Sequence, residues 1–134
     1  VGRLDLDTEG LLLITNDGDF AHRLLAPSRH HSKVYFASIE GKMDQEDVAA
    51  FKQGIILDTG YRCKEANLEI LEETEIEIFE GKFHQIKKMV AACNKKVIYL
   101  KRLSIKNLQL DRTLELGDFR ELSPMELVDL MNDL

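Results

Sequence analysis

Asp5, Asp7 and Thr8 lie within four residues of one another, directly ahead of an apolar run from Leu11 to Ile14. A carboxylate held in such a loop can attack an electrophilic carbon or take a proton from one. An Asp-x-Asp pair can also hold magnesium against a phosphate. Acids at a strand entrance are, however, often turn or cap residues whose work is finished by the backbone. The local pattern shows only that Asp5, Asp7 and Thr8 share a loop.

The elements around this loop follow from periodicity and punctuation. Leu11 to Thr15 reads as a short buried strand closed by Asn16-Asp17-Gly18. Asp19 to Leu25 reads as a helix with Asp19 as its cap, ending near Pro27. Lys33 to Glu40 alternates and is rich in Val, Tyr, Phe and Ile, which predicts a strand. Asp44 caps a helix running to Gln53, with Asp47 three residues on and Gly54 after its end. Ile55 to Leu57, Leu68 to Leu71 and the strictly alternating Thr74 to Phe79 are strand candidates. After the Glu80-Gly81 turn, Phe83, Ile86, Met89, Val90 and Cys93 recur at helical spacing, predicting a helix from Phe83 to Asn94. Val97 to Leu100 and Arg102 to Leu108 read as two further strands, and Ser123-Pro124-Met125-Glu126 opens a last helix with a capping box. Strands joined mostly by short connections predict an α+β domain, with flanking helices on a mixed, mainly antiparallel sheet.

Bulk properties narrow the class. The 134 residues suit one domain. No apolar run approaches the ~20 residues of a membrane-spanning helix. Cys63 and Cys93 stand apart, with no CxxC pair to suggest zinc or redox work, and read as reduced thiols of a cytoplasmic protein. A net charge of −6 is unlike a generic nucleic-acid binder. The charge is segregated, though. Acid gathers between Glu65 and Glu80; base gathers at Arg23, Arg29 and Lys33, at Lys82, Lys87 and Lys88, and at Lys95, Lys96, Lys101 and Arg102.

The run Gly2-Arg3-Leu4-Asp5-Leu6-Asp7-Thr8-Glu9-Gly10-Leu11-Leu12-Leu13 resembles the signature of the RsuA-like branch of the pseudouridine synthases. Leu25-Ala26-Pro27 with Lys33-Val34-Tyr35, Glu80 to Met89, Leu100-Lys101-Arg102, and Gly117 to Ser123 resemble later blocks of that family in the same order. The alternative Asp-x-Asp reading, a magnesium phosphatase of the haloacid dehalogenase type, fits less well. In that motif the acids end a buried strand, whereas here the apolar run follows them.

The resemblance implies roles. Asp5 matches the catalytic aspartate. Tyr35 matches the aromatic residue that packs on the target uracil. Lys87 matches a basic residue, Arg in many relatives, that pairs with the aspartate; lysine keeps the charge but loses the bidentate fork. Arg3 matches an arginine that holds RNA opened by the flipped base. Arg29, Lys33, Lys82 and Lys88 are the other expected RNA contacts. By periodicity alone Tyr35 would be a core-facing strand residue, and Lys87 and Lys88 a solvated helix face. His84 reads as structural, placing the loop–helix junction, and Asp7 and Thr8 as braces of the catalytic loop through the backbone.

The implied reaction breaks the N1–C1′ bond of a uridine, turns the uracil and joins C5 to C1′. No redox step is involved and no cofactor or metal is expected. The base must be flipped from its helix at a few kcal/mol, of which an aromatic platform returns ~1–3 kcal/mol. The expected partner is ribosomal RNA. The His84-Gln85-Ile86-Lys87-Lys88-Met89 form favours 16S, with 23S open. The resemblance also places an S4-like RNA-binding module and the opening of the catalytic domain ahead of Val1. A fragment that binds RNA without turnover is the alternative of a different class.

Overall fold

The computed structural model describes residues 1–70, 73–132 and 134. The strands are β1 (Thr8–Gly10), β2 (Lys33–Glu40), β3 (Asn67–Ile70), β4 (Thr74–Ile78), β5 (Lys96–Ile105) and β6 (Leu108–Gln109). The helices are α1 (Gly18–Leu25), α2 (Gln45–Gln53), α3 (Gln85–Ala92) and α4 (Pro124–Met131). The sheet runs β1-β5-β2-β4-β3, with β6 added to β5. β1 is parallel to β5 and every other pairing is antiparallel. This is the mixed, mainly antiparallel α+β architecture expected.

β2 is the centre of the sheet because its alternation puts Lys33, Tyr35 and Ala37 on one buried face. Tyr35 pairs with Ile76 of β4 and Arg102 of β5. Ile76, Ile78 and Leu100 continue that face, and Phe51 of α2 with Ile86, Met89 and Val90 of α3 pack into one core with them. A second core, Leu13, Phe20, Leu24, Ile105, Leu108 and Leu130, seats α1 and α4 at the other end.

Capping chemistry sets α2 and α4. Asp47 N–H donates to Asp44 Oδ1 at 3.0 Å, and Asp44 N–H to Asp47 Oδ2 at 3.0 Å. Ser123 and Glu126 form the same reciprocal pair. Asp44→Ala removes one acceptor and should cost about 1 kcal/mol, read as a lower urea midpoint at constant m-value.

Five expectations are corrected. Leu11 to Thr15 is not a paired strand; pairing stops at Gly10, and the Leu11 carbonyl accepts from Arg102 Nε at 2.8 Å. The cap of α1 is Asp17, which accepts from Phe20 N–H at 3.0 Å, while Asp19 instead pairs with Arg23 at 3.0 Å. Ile55 to Leu57 forms only a bridge between Ile56 and Arg62 inside a tight loop. The two strands expected on either side of Lys101 are one strand, because Lys101 occupies an outward position between buried Leu100 and Arg102 and stays paired with Phe36 of β2. Phe83 precedes α3 and is 71% exposed rather than on its buried face. The strand expected to reach Leu71 is seen to Ile70; Leu71 lies outside the described residues.

Candidate active site

A cavity of ≈ 630 Å³ opens on the buried face of the sheet. Lys33 and Tyr35 of β2, Ile78 of β4, and Leu100 and Arg102 of β5 form its floor. The segment ahead of β1 forms one wall with Arg3 and Asp5, and the loop before α3 forms another with Lys82, Phe83 and His84. The volume lies within the usual range of small-ligand clefts, and apolar walls around a few convergent charges are their usual lining.

Asp5 is held by a turn in which Thr8 N–H donates to the Asp5 carbonyl at 2.9 Å. Its carboxylate is met by two side-chain nitrogens, one from α3 and one from the residue before it. Lys87 Nζ stands 3.2 Å from Oδ2, and His84 Nε2 stands 3.4 Å from Oδ1. Lys87 also reaches Asp7 Oδ1 at 2.6 Å. The two carboxylates raise the Lys87 pKa, Asp7 contributing most and Asp5 next, and the Lys87 hydrogen bond lowers that of Asp7. The charge at position 87 is therefore secure, and it favours the ionised form of Asp7. The Lys87 ammonium thus bridges Asp5 and Asp7. Among the described residues no group of three His, Cys, Asp or Glu is placed to hold a metal ion.

The loop that presents His84 and Lys87 is anchored from below. Glu80 is 2% exposed, accepts from Lys64 N–H at 2.6 Å, from Gln85 Nε2 at 3.3 Å and from the Tyr61 hydroxyl. That bond to the carboxylate pushes the Tyr61 pKa up to about 12, with burial adding to it. Gln85 Oε1 in turn accepts from Lys82 N–H at 2.9 Å. His84 sits in the left-handed region at φ 51°, uncommon for a residue with a side chain. That turn stacks its ring on Phe83 and brings Nε2 to Asp5.

The residues singled out in the sequence are thus distributed unevenly. Asp5, Tyr35, Arg3, Lys82 and Lys33 line the cavity, and Lys87 reaches it through Asp5. Arg3 and Lys82 are exposed on the rim, whereas Lys33 is buried at the floor. Lys88 lies outside the cavity lining, 5.2 Å over the Phe83 ring, and Arg29 is exposed outside it too. Asp7 carries a side-chain bond to Lys87 besides its backbone hydrogen bond. His84 does more than shape the junction, since its ring faces the carboxylate; its three-residue spacing from Lys87 at a helix start was the available signal. Arg102 was missed as well. Its place two residues after buried Leu100 in an alternating strand marks it as inward-facing.

Fold and site together define an enzyme-like cleft built around one carboxylate. Residues 1–92 match the family model for RNA pseudouridylate synthases. The chain belongs to that family. It is 43% identical to an uncharacterized RNA pseudouridine synthase of Bacillus subtilis, across 98% of this chain and 57% of that protein. It is 39% identical to the ribosomal small subunit pseudouridine synthase A of Haemophilus influenzae, across 97% of this chain and 57% of that protein. A crystal structure of a pseudouridylate synthase superposes with a TM-score of 0.92 at 39% identity, covering 96% of this chain and 57% of that one. The chain spans just over half the length of these relatives.

Proposed function

We propose that the protein carrying this chain converts a uridine of ribosomal RNA to pseudouridine, with Asp5 as the essential carboxylate and no cofactor. The carrying observation is the Asp5 carboxylate 3.2 Å from the Lys87 ammonium in a cavity floored by the Tyr35 ring. The C1′ of a flipped nucleotide brought to Asp5 would leave its base over Tyr35. In this reading the exposed Arg3 and Lys82 of the cavity lining would meet the flanking phosphates. Small-subunit 16S RNA is the favoured substrate, because several relatives are named for that subunit. A ribosomal RNA substrate makes the cytoplasm the site of action, and among the described residues no helix is long and apolar enough to cross a membrane.

The test incubates the complete protein with unmodified 16S and 23S transcripts and maps pseudouridine by carbodiimide-dependent reverse-transcription stops. One new stop in 16S, absent with Asp5→Asn, is the expected result. RNA binding with no stop in either transcript would favour the non-catalytic module. Lys87→Met should lower the single-turnover rate on the order of 100-fold, as loss of one preorganised charge does, while Lys87→Arg keeps most of it.

A further inference from the structure

The cavity floor holds two cations that the pairing of Asp5 with Lys87 does not use. Lys33 is 6% exposed and Arg102 is 1% exposed. They lie on the same face of neighbouring strands, Arg102 opposite Tyr35 and Lys33 two residues before it. Arg102 spends its Nε on the Leu11 carbonyl at 2.8 Å, and its buried Nη2 has no hydrogen-bond partner among the described residues. Glu80 is the acid whose field reaches Lys33, but its oxygens are taken by Tyr61, Lys64 N–H and Gln85. Asp5 is taken by Lys87 and His84. Burial lowers the Lys33 pKa most, the Arg102 charge adds to that, and Glu80 opposes it only in part. A buried ammonium without a dedicated counter-ion is costly to keep. Perturbed groups of this kind gather where an arriving or developing charge completes them.

The chemistry supplies such a charge. Resting on the pseudouridine synthase reading, the N1–C1′ bond breaks with its electron pair staying on the uracil. Asp5 either bonds to C1′ or takes the C2′ proton, whose C–H pair becomes a C1′=C2′ bond. By either route the detached base is an anion, with its charge spread over N1 and the two carbonyl oxygens. C5 then bonds to C1′, either as the Asp5–C1′ bond breaks and its pair returns to the carboxylate, or as Asp5 gives its proton back to C2′ and the C1′=C2′ pair becomes that C–H bond. The charge is discharged in that bond, and the C5 proton is then lost to water while N1 takes one from water.

We propose that Lys33, with the Arg102 guanidinium behind it, is a catalytic residue that donates hydrogen bonds to a uracil carbonyl oxygen and stabilises the detached base. Its position suits that role better than contact with a backbone phosphate. It lies at the floor on the strand that carries the Tyr35 platform, beside apolar Ile78 and Leu100, whereas Arg3 and Lys82 stand at the rim where the backbone must pass. The ammonium would meet the edge of a planar ring seated on Tyr35. Because it stabilises charge absent from the ground state, its effect belongs in the chemical step and not in RNA affinity.

Lys33→Met keeps the stem and removes the charge. In the complete protein its melting temperature should equal or exceed that of the wild type, since an apolar replacement of a buried charge is often neutral or stabilising. Single-turnover pseudouridine formation should fall on the order of 100-fold, with RNA affinity within about twofold of wild type. RNA carrying 5-fluorouridine at the target should show a clearly smaller loss, followed as consumption of that nucleoside, because the fluorine itself stabilises the ring anion. Four results would each overturn the proposal: wild-type rates in Lys33→Met, a loss confined to RNA affinity, an equal loss on both nucleosides, or a melting temperature below wild type. A wild-type protein that makes no pseudouridine would instead remove the functional reading itself.

Discussion

Asp5→Asn should lower pseudouridine formation on the order of 10⁴-fold, the scale seen when one member of a catalytic set is removed, and leave the folded protein almost as stable. The amide is isosteric with the carboxylate, so the cavity keeps its shape. It can neither bond to C1′ nor take a proton at neutral pH, so both routes close together. The stability side is small for a geometric reason. Asp5 and Lys87 are each partly exposed, and Lys87 retains Asp7 at 2.6 Å after the change. Ion pairs of that kind contribute ~0–1 kcal/mol. Carbodiimide mapping and thermal melting on the same samples check the two halves. Activity within tenfold of wild type would mean another group carries the reaction, and Asp7 would be the first to examine because it shares the same lysine.

How far the sequence carried depended on where the information was stored. β2, α2 and the start of α4 were legible to within a residue because local chemistry sets them: strict alternation in Lys33–Glu40, and reciprocal caps at Asp44 with Asp47 and at Ser123 with Glu126. The misplaced strand at Leu11 to Thr15 failed for a tertiary reason. An arginine ninety-one residues away takes the Leu11 carbonyl that a strand partner would otherwise take. Asp17 and Asp19 are both competent caps, and the sequence held nothing to choose between them. Phe83 fits the helical period of α3, but His84 turns into the left-handed region, so the ring is carried outward before the helix begins.

The site divides in the same way. That Asp5, Tyr35 and Lys87 belong together came from family resemblance, since spacing by itself assigned Tyr35 to the core and Lys87 to solvent. In the fold, Tyr35 is both: 8% exposed within the core cluster and part of the cavity floor. What resemblance did not reveal is the surrounding charge. The convergence of His84 on Asp5, the sharing of Lys87 with Asp7, and the meeting of the buried cations Lys33 and Arg102 on one face all depend on elements far apart in sequence.

Gly10 shows how a motif residue without functional atoms can be indispensable to the site. It pairs with Arg102 where β1 meets β5, at φ +110°, a conformation that side chains rarely adopt. A Cβ added there would lie 2.2 Å from the Arg102 carbonyl oxygen and 2.5 Å from its nitrogen, both backbone atoms of a central strand. Neither can give way without opening the parallel pairing, so Gly10→Ala combines strain with lost hydrogen bonds. The expected cost is ~4 kcal/mol or more, at the extreme of single substitutions, read as a large drop in the urea midpoint. Gly18 is the matched control. It opens α1 with φ outside the positive region and has nothing within 4 Å of an added Cβ. Gly18→Ala should be neutral or stabilising by ~0.4–1 kcal/mol. If the two alanines cost the same, the close approach of β1 to β5 is not what constrains Gly10. If only Gly10→Ala unfolds the chain, the glycine is there to let the Asp5 loop descend onto the strand that holds Arg102.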